Sequence, residues 1–153
     1  MEDVKRFIPN EFIDIVEKFE NSINMEKRIS PDFINTLKEN EIYVFGRNLE
    51  GMRGGGAARV AYNKFGAIRG QGVGLQGQSY AIPTMHGGVN IIKPYVDEFI
   101  DFAKSHTELK FLVTRIGCGI AGFTDEEIAP LFKEAIEIEN IYLPKSFYYI
   151  LVK

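Results

Sequence analysis

All 15 glycines of the chain fall between Gly46 and Gly122, and most gather into three loops: Gly46 to Gly56, Gly66 to Gln78 and Gly117 to Phe123. The first loop joins a short β-branched and aromatic run, Ile42 to Phe45, to a segment with helical apolar spacing, Ala57 to Phe65. The order is strand, loop, helix. Glycine has no Cβ to clash and reaches positive φ, so the backbone there can pass close to a ligand. The start of the following helix offers unpaired N–H groups and a partial positive charge. This pairing predicts a site for an anion, above all a phosphate.

The remaining segments alternate in the same way. Asn10 to Ile23 carries Phe12, Val16, Phe19 and Ile23 at helical spacing, and Ser30 with Pro31 reads as the cap and first-turn proline of a short helix ending near Asn40. Ser79 to Thr84 and Lys110 to Ile116 read as strands, and Ser146 to Lys153 as a last one. Between them, Pro94 opens a helix to about His106 that turns Tyr95, Val96, Phe99, Ile100 and Ala103 inward. Thr124 and Glu127 form a capping box for another helix, with Ile128, Leu131, Phe132, Ala135 and Ile136 as its buried stripe. Such alternation predicts an α/β fold: one domain with a mostly parallel sheet, right-handed crossovers and three α/β/α layers, residues 1–40 being an N-terminal helical extension of a 41–153 core. The three glycine loops then leave strand ends on one rim and line one cleft.

A net charge of −3 without a Lys/Arg stripe argues against a nucleic-acid groove and for a small ligand. No signal-type apolar core and no membrane-length apolar run is present, which predicts a soluble, cytoplasmic protein without a membrane partner. Cys118 is the one cysteine and has no internal disulfide partner. With two histidines far from it in sequence, no metal site is indicated.

Named nucleotide motifs fail on context. Gly72, Gly74 and Gly77 spell G-x-G-x-x-G but precede a strand, where a dinucleotide fingerprint must link a strand to a helix. The loop in the right context, Gly54 to Gly56, is followed by Arg59 where a third small residue belongs, and the second strand ends in Thr84 rather than an acid. Walker A is absent, and Ser79 is not in a nucleophile elbow.

Together, GMRGGGAARVAYNKFGA, SYAIPT, KPYVDEFIDFAKSH and RIGCGIAGFTDEEIAPLFKEA resemble, in order and spacing, the macrodomains, which bind ADP-ribose, and most of all the branch of terminal ADP-ribose-protein glycohydrolases. The likeness runs from Glu41 to Val152. It implies a diphosphate held between two loops, Arg53, Gly54, Gly55, Gly56, Ala57 and Ala58 on one side and Gly117, Cys118, Gly119, Ile120, Ala121, Gly122 and Phe123 on the other, with Thr84 nearby. Phe123 stands where an aromatic stacks on the ligand, or else staples the next helix. Asn48 stands near the distal ribose, or serves a turn. Glu41 or Asn40 is the candidate for adenine. The implied ligand is ADP-ribose or a related NAD-derived nucleotide, free or on an ADP-ribosylated macromolecule, with no cofactor.

The resembling glycohydrolases carry a lysine and an aspartate where this chain has Met85 and Ala121, and neither a thioether nor a methyl can form a sugar adduct or move a proton. Two readings follow: a binding module acting as reader, sensor or sequestering protein, and an ADP-ribosyl hydrolase using water held by Asn48 and His86. A more remote third is a cytokinin-activating type of nucleotide-processing enzyme, against which the lack of an acid/base pair counts. Asp125 and Glu126 read as helix-dipole partners, as does His106. Cys118 is either a small packing residue or, with His86, a thiol nucleophile.

Overall fold

Residues 42–45 are each at most 5% exposed, so the first strand is covered on both faces. The protein is described by a computed structural model over residues 15, 16, 19, 27–51 and 55–153. That strand, β1 (Glu41–Arg47), precedes helix α1 (Gly56–Lys64), then β2 (Gly74–Gln76), β3 (Ser79–Pro83), α2 (Val89–Lys104), β4 (Lys110–Val113), α3 (Asp125–Ile128), a 3₁₀ helix (Ala129–Glu137), β5 (Ile141–Tyr142) and α4 (Lys145–Leu151). The sheet order is β2-β3-β1-β4-β5. β1 pairs in parallel with β3 and β4, β4 pairs in parallel with β5, and only β2 is antiparallel, to β3.

Strand alternation divides the core. Ile42 and Val44 join Tyr80 and Ile82 in a cluster with Val96, Phe99 and Ile100 of α2 and with Phe132 and Phe147, while Tyr43, Phe45 and Ala81 meet Ala58 and Ala61 of α1. Phe99 organises the larger cluster, its ring 5.1 Å from Tyr80 and 5.4 Å from Phe111. On the other side Tyr43 packs 4.9 Å from Phe65.

Several expected elements differ. Residues 31–38 form no helix: Ser30 Oγ donates to the Val113 carbonyl at 2.7 Å instead of capping, Ile29 bridges Leu143, and Phe33 is exposed. Pairing with distant chain therefore overrides the local cap signal. Of the expected helix Asn10 to Ile23, only Ile15, Val16 and Phe19 are described; all three are helical as expected, but Val16 and Phe19 are exposed rather than packed on the core, and Phe12 and Ile23 lie outside the described residues. The loop Gly66 to Gln78 contains β2, which is too short to show a period. α2 begins before Pro94, because Ile92 adds a turn to the inward stripe. The helix after Thr124 tightens to 3₁₀ at Pro130, which has no N–H to offer the carbonyl four residues back.

The last segment is helix α4, and the final strand is Ile141–Tyr142. Aromatic and β-branched content in SFYYILVK suggested a strand, but Phe147, Ile150 and Leu151 share a helical face that packs into the larger cluster.

Candidate functional site

Because β1, β3 and β4 run parallel, their C-terminal ends share one rim. There Gly46, Arg47 and Asn48 at the end of β1, Gly55, Gly56, Ala57 and Ala58 at the start of α1, Thr84 and Met85 after β3, and residues 114–121 after β4 enclose a cavity of about 340 Å³. Gly117 sets the course of the β4 loop. Its φ is 75°, and a Cβ on it would meet Ile128 Cδ1 at 2.9 Å, so only glycine lets the loop turn against α3. Phe123 N–H then closes the loop on the Gly117 carbonyl at 2.8 Å, and Gly122 N–H on that of Gly119 at 3.0 Å.

Across the cavity, the N-cap of α1 is Gly55, with no side-chain cap and no acid in the first turn. Ala58 N–H bonds the Gly55 carbonyl at 3.1 Å, and the positive end of the helix dipole there favours an anion. The contrast with α3 is plain: Thr124 and Glu127 cap each other there, and Asp125, Glu126 and Glu127 fill its first turn. The described lining contains Arg47 and Arg115 and no carboxylate.

Beside the cavity, Asp125 takes two bonds from Arg115, at 3.0 Å from both Nε and Nη2, and the Cys118 thiol donates to it at 3.4 Å. Burial alone raises the Asp125 pKa, but the bonds from Arg115 and Cys118 outweigh it and hold the carboxyl below its ordinary value. Burial first, and then Asp125, push the Cys118 thiol up to about 12. A raised pKa and a hydrogen bond to Asp125 favour the packing reading of Cys118 over the nucleophile.

The expected residues divide. Asn48, Gly55, Gly56, Ala57, Ala58, Thr84, Gly117, Cys118, Gly119, Ile120 and Ala121 line the cavity together; Arg53 and Gly54 lie outside the described residues. Gly122 and Phe123 do not line it: Phe123 packs on the larger core cluster, its stapling alternative. His86 is also outside the lining. Its Nε2 accepts the Leu49 N–H at 2.8 Å and lies 3.7 Å from Glu50, so it braces the loop after β1 rather than aiming at cavity water. Glu41 and Asn40 sit at the opposite end of β1, where Glu41 Oε1 accepts the Lys38 N–H at 2.7 Å, which removes them as adenine contacts.

The loop Gly66 to Gln78 does not line the cavity either. Its Gly72 instead lets the chain press against β1's exit, where a Cβ would stand 2.1 Å from the Leu49 carbonyl oxygen. His106 keeps its helix-end role, Nδ1–H donating to the Phe102 carbonyl at 2.7 Å. Met85 and Ala121 both line the cavity and bring no acid or base to it.

No protein-family model, curated protein or solved structure matches the chain.

Sequence reading passed over a second cavity, of about 570 Å³, that shares Thr114 and Arg115 with the first and is lined also by Ser30, Asp32, Asp125, Ser146 and Tyr149. Part of its wall comes from residues 30–32, which form no helix, and from α4, which is not a strand, so nothing local in the sequence indicates it. Among the described residues, no helix is long and apolar enough to cross a membrane, and no three metal-binding side chains cluster.

Proposed function

We propose that this protein binds ADP-ribose or a related NAD-derived nucleotide, in a three-layer α/β/α arrangement of macrodomain type, as a reader, sensor or sequestering module of the cytoplasm. One observation carries the reading: the glycine-rich backbone after β1 and that after β4 wall the same cavity, from opposite sides and without a carboxylate between them. A pyrophosphate matches such a site, since it takes hydrogen bonds from bare N–H groups and gains from a helix N-terminus. The adjoining cavity, which shares Thr114 and Arg115 with the first, leaves room beside the site for a ligand longer than a single phosphate. Together the two fall within the size range of ligand clefts.

Titration calorimetry tests this. ADP-ribose is expected to bind clearly tighter than AMP or ribose 5-phosphate, because only it offers a pyrophosphate to the two loops. Equal, weak binding of all three discards the assignment.

A further inference from the structure

Several polar side chains of the cavity lining spend their hydrogen bonds elsewhere. Arg47 is 5% exposed and donates to the carbonyls of Gly51, Ile68 and Gln71 and to Gln76 Oε1; among the described residues no carboxylate pairs with it. Thr114 Oγ1 donates to the Val44 carbonyl at 2.7 Å, and Arg115 and Cys118 both turn to Asp125. Thr84 differs. It is 4% exposed, and its N–H, donating to the Arg47 carbonyl at 3.1 Å, carries the β1–β3 ladder one residue past Pro83. Its hydroxyl lines the cavity and makes no hydrogen bond among the described residues. The fold itself therefore has no use for that oxygen.

The neighbouring strand shows what the hydroxyl faces. Gly46 follows Val44 on one face of β1, and Thr84 follows Ile82 on the same face beyond β3. A Cβ on Gly46 would stand 3.0 Å from Thr84 Oγ1 and 3.5 Å from the Gly117 nitrogen. The N–H of Gly117, a buried residue of the β4 loop, also has no acceptor among the described residues. A hydroxyl from β3 and an amide from the β4 loop thus flank the bare Cα of Gly46 in the cavity wall. Both can donate, and no carboxylate in the described lining stands ready to accept.

We propose that Thr84 Oγ1 and the Gly117 N–H together hold one phosphoryl oxygen of the ligand's pyrophosphate, over the gap that Gly46 leaves. The proposal rests on the nucleotide reading above and names the side chain that reads the diphosphate. Gly46 then serves binding more than folding, since it sits in strand backbone without a positive φ.

Calorimetry with ADP and ADP-ribose tests this on the wild type and three variants. Thr84→Val keeps the shape and loses the hydroxyl, Thr84→Ser keeps the hydroxyl, and Gly46→Ala sets a methyl 3.0 Å from Oγ1. Thr84→Val is expected to weaken both ligands by about tenfold or more at an unchanged Tm, because both carry the pyrophosphate, while Thr84→Ser stays within about threefold. Gly46→Ala weakens both likewise, and carries the test alone if Thr84→Val does not fold. Wild-type affinity in Thr84→Val, or in Gly46→Ala where it stands alone, overturns the proposal. So does a loss confined to ADP-ribose, which puts the hydroxyl on the distal ribose, and so does a Thr84→Ser as weak as Thr84→Val, which reduces the effect to packing. A wild type that binds ADP-ribose no tighter than AMP overturns the nucleotide reading itself, and the proposal with it, before any variant is made.

Discussion

Ile120 Cδ1 stands 2.9 Å from the point a Cβ on Gly55 would occupy, so the loop after β4 touches the N-cap of α1 across the cavity. Ile120 is nonetheless 74% exposed, which makes it a rim residue with little packing to lose. Ile120→Ala is expected to change stability by no more than about 0.5 kcal/mol and to speed ADP-ribose association in stopped-flow mixing. Gly55 has an ordinary φ of −104°, so Gly55→Ala should fold and lose affinity through blocked backbone approach. Since the two side chains compete for one space, their effects on affinity should be non-additive.

Gly117 and Gly119, two residues apart, should respond in opposite ways to the same substitution. An alanine at 117 meets both a positive φ and Ile128, and should cost about 1–3 kcal/mol in urea unfolding. At 119 a Cβ finds open space, so Gly119→Ala should unfold like the wild type. Gly119→Phe should fold too, yet lose ADP-ribose binding by occupying the cavity.

The Arg115–Asp125–Cys118 group fixes two edges of pH dependence. Asp125 has a lowered folded pKa, so its contribution is full above the unfolded carboxylate value of about 3.9 and is lost as pH falls through the lower folded value. Arg115 is more than half exposed, so the loss is small. Cys118 has the opposite sign: with a folded value of about 12, its contribution is present below the unfolded thiol value of about 8.5 and fades as pH rises above that. Iodoacetamide should therefore label Cys118 slowly at pH 8, and Asp125→Asn should speed labelling only in part, because burial is the larger cause.

Gln76 is 2% exposed and satisfies two donors, Arg47 Nη1 and the Ile68 N–H, while its own amide donates to the carbonyls of Gln71 and Gly74. Gln76→Leu strands those partners in a buried site and should cost about 2–4 kcal/mol. Differential scanning calorimetry would show it as a lower Tm; an unchanged Tm would mean that water replaces the amide.

Central strands were legible because they are buried on both faces and read as continuous apolar runs, as in FLV of β4 and AIP of β3. The cavity loops were legible because glycine clusters at strand exits are a local signal. Partners supplied by distant chain were not. Ser30 carries every mark of a helix cap, but its hydroxyl serves Val113, which no window around residue 30 contains. Likewise Arg47 and Arg115 do not stand out among 18 basic residues, and only the fold shows one buried without a carboxylate and the other between two cavities.

The sheet's central strand begins at Glu41, yet the fold reaches further back. Ile29 bridges Leu143, Ser30 N–H bonds the Leu143 carbonyl at 2.8 Å, and the Arg28 side chain donates to the carbonyls of Ile136, Ile138 and Ile141. These residues seal the margin of the sheet beside β5, where unsatisfied main chain would otherwise invite a second molecule to add itself. A fragment that begins at Glu41 is therefore expected to lay that margin bare and to self-associate, which size-exclusion chromatography against the full chain would show.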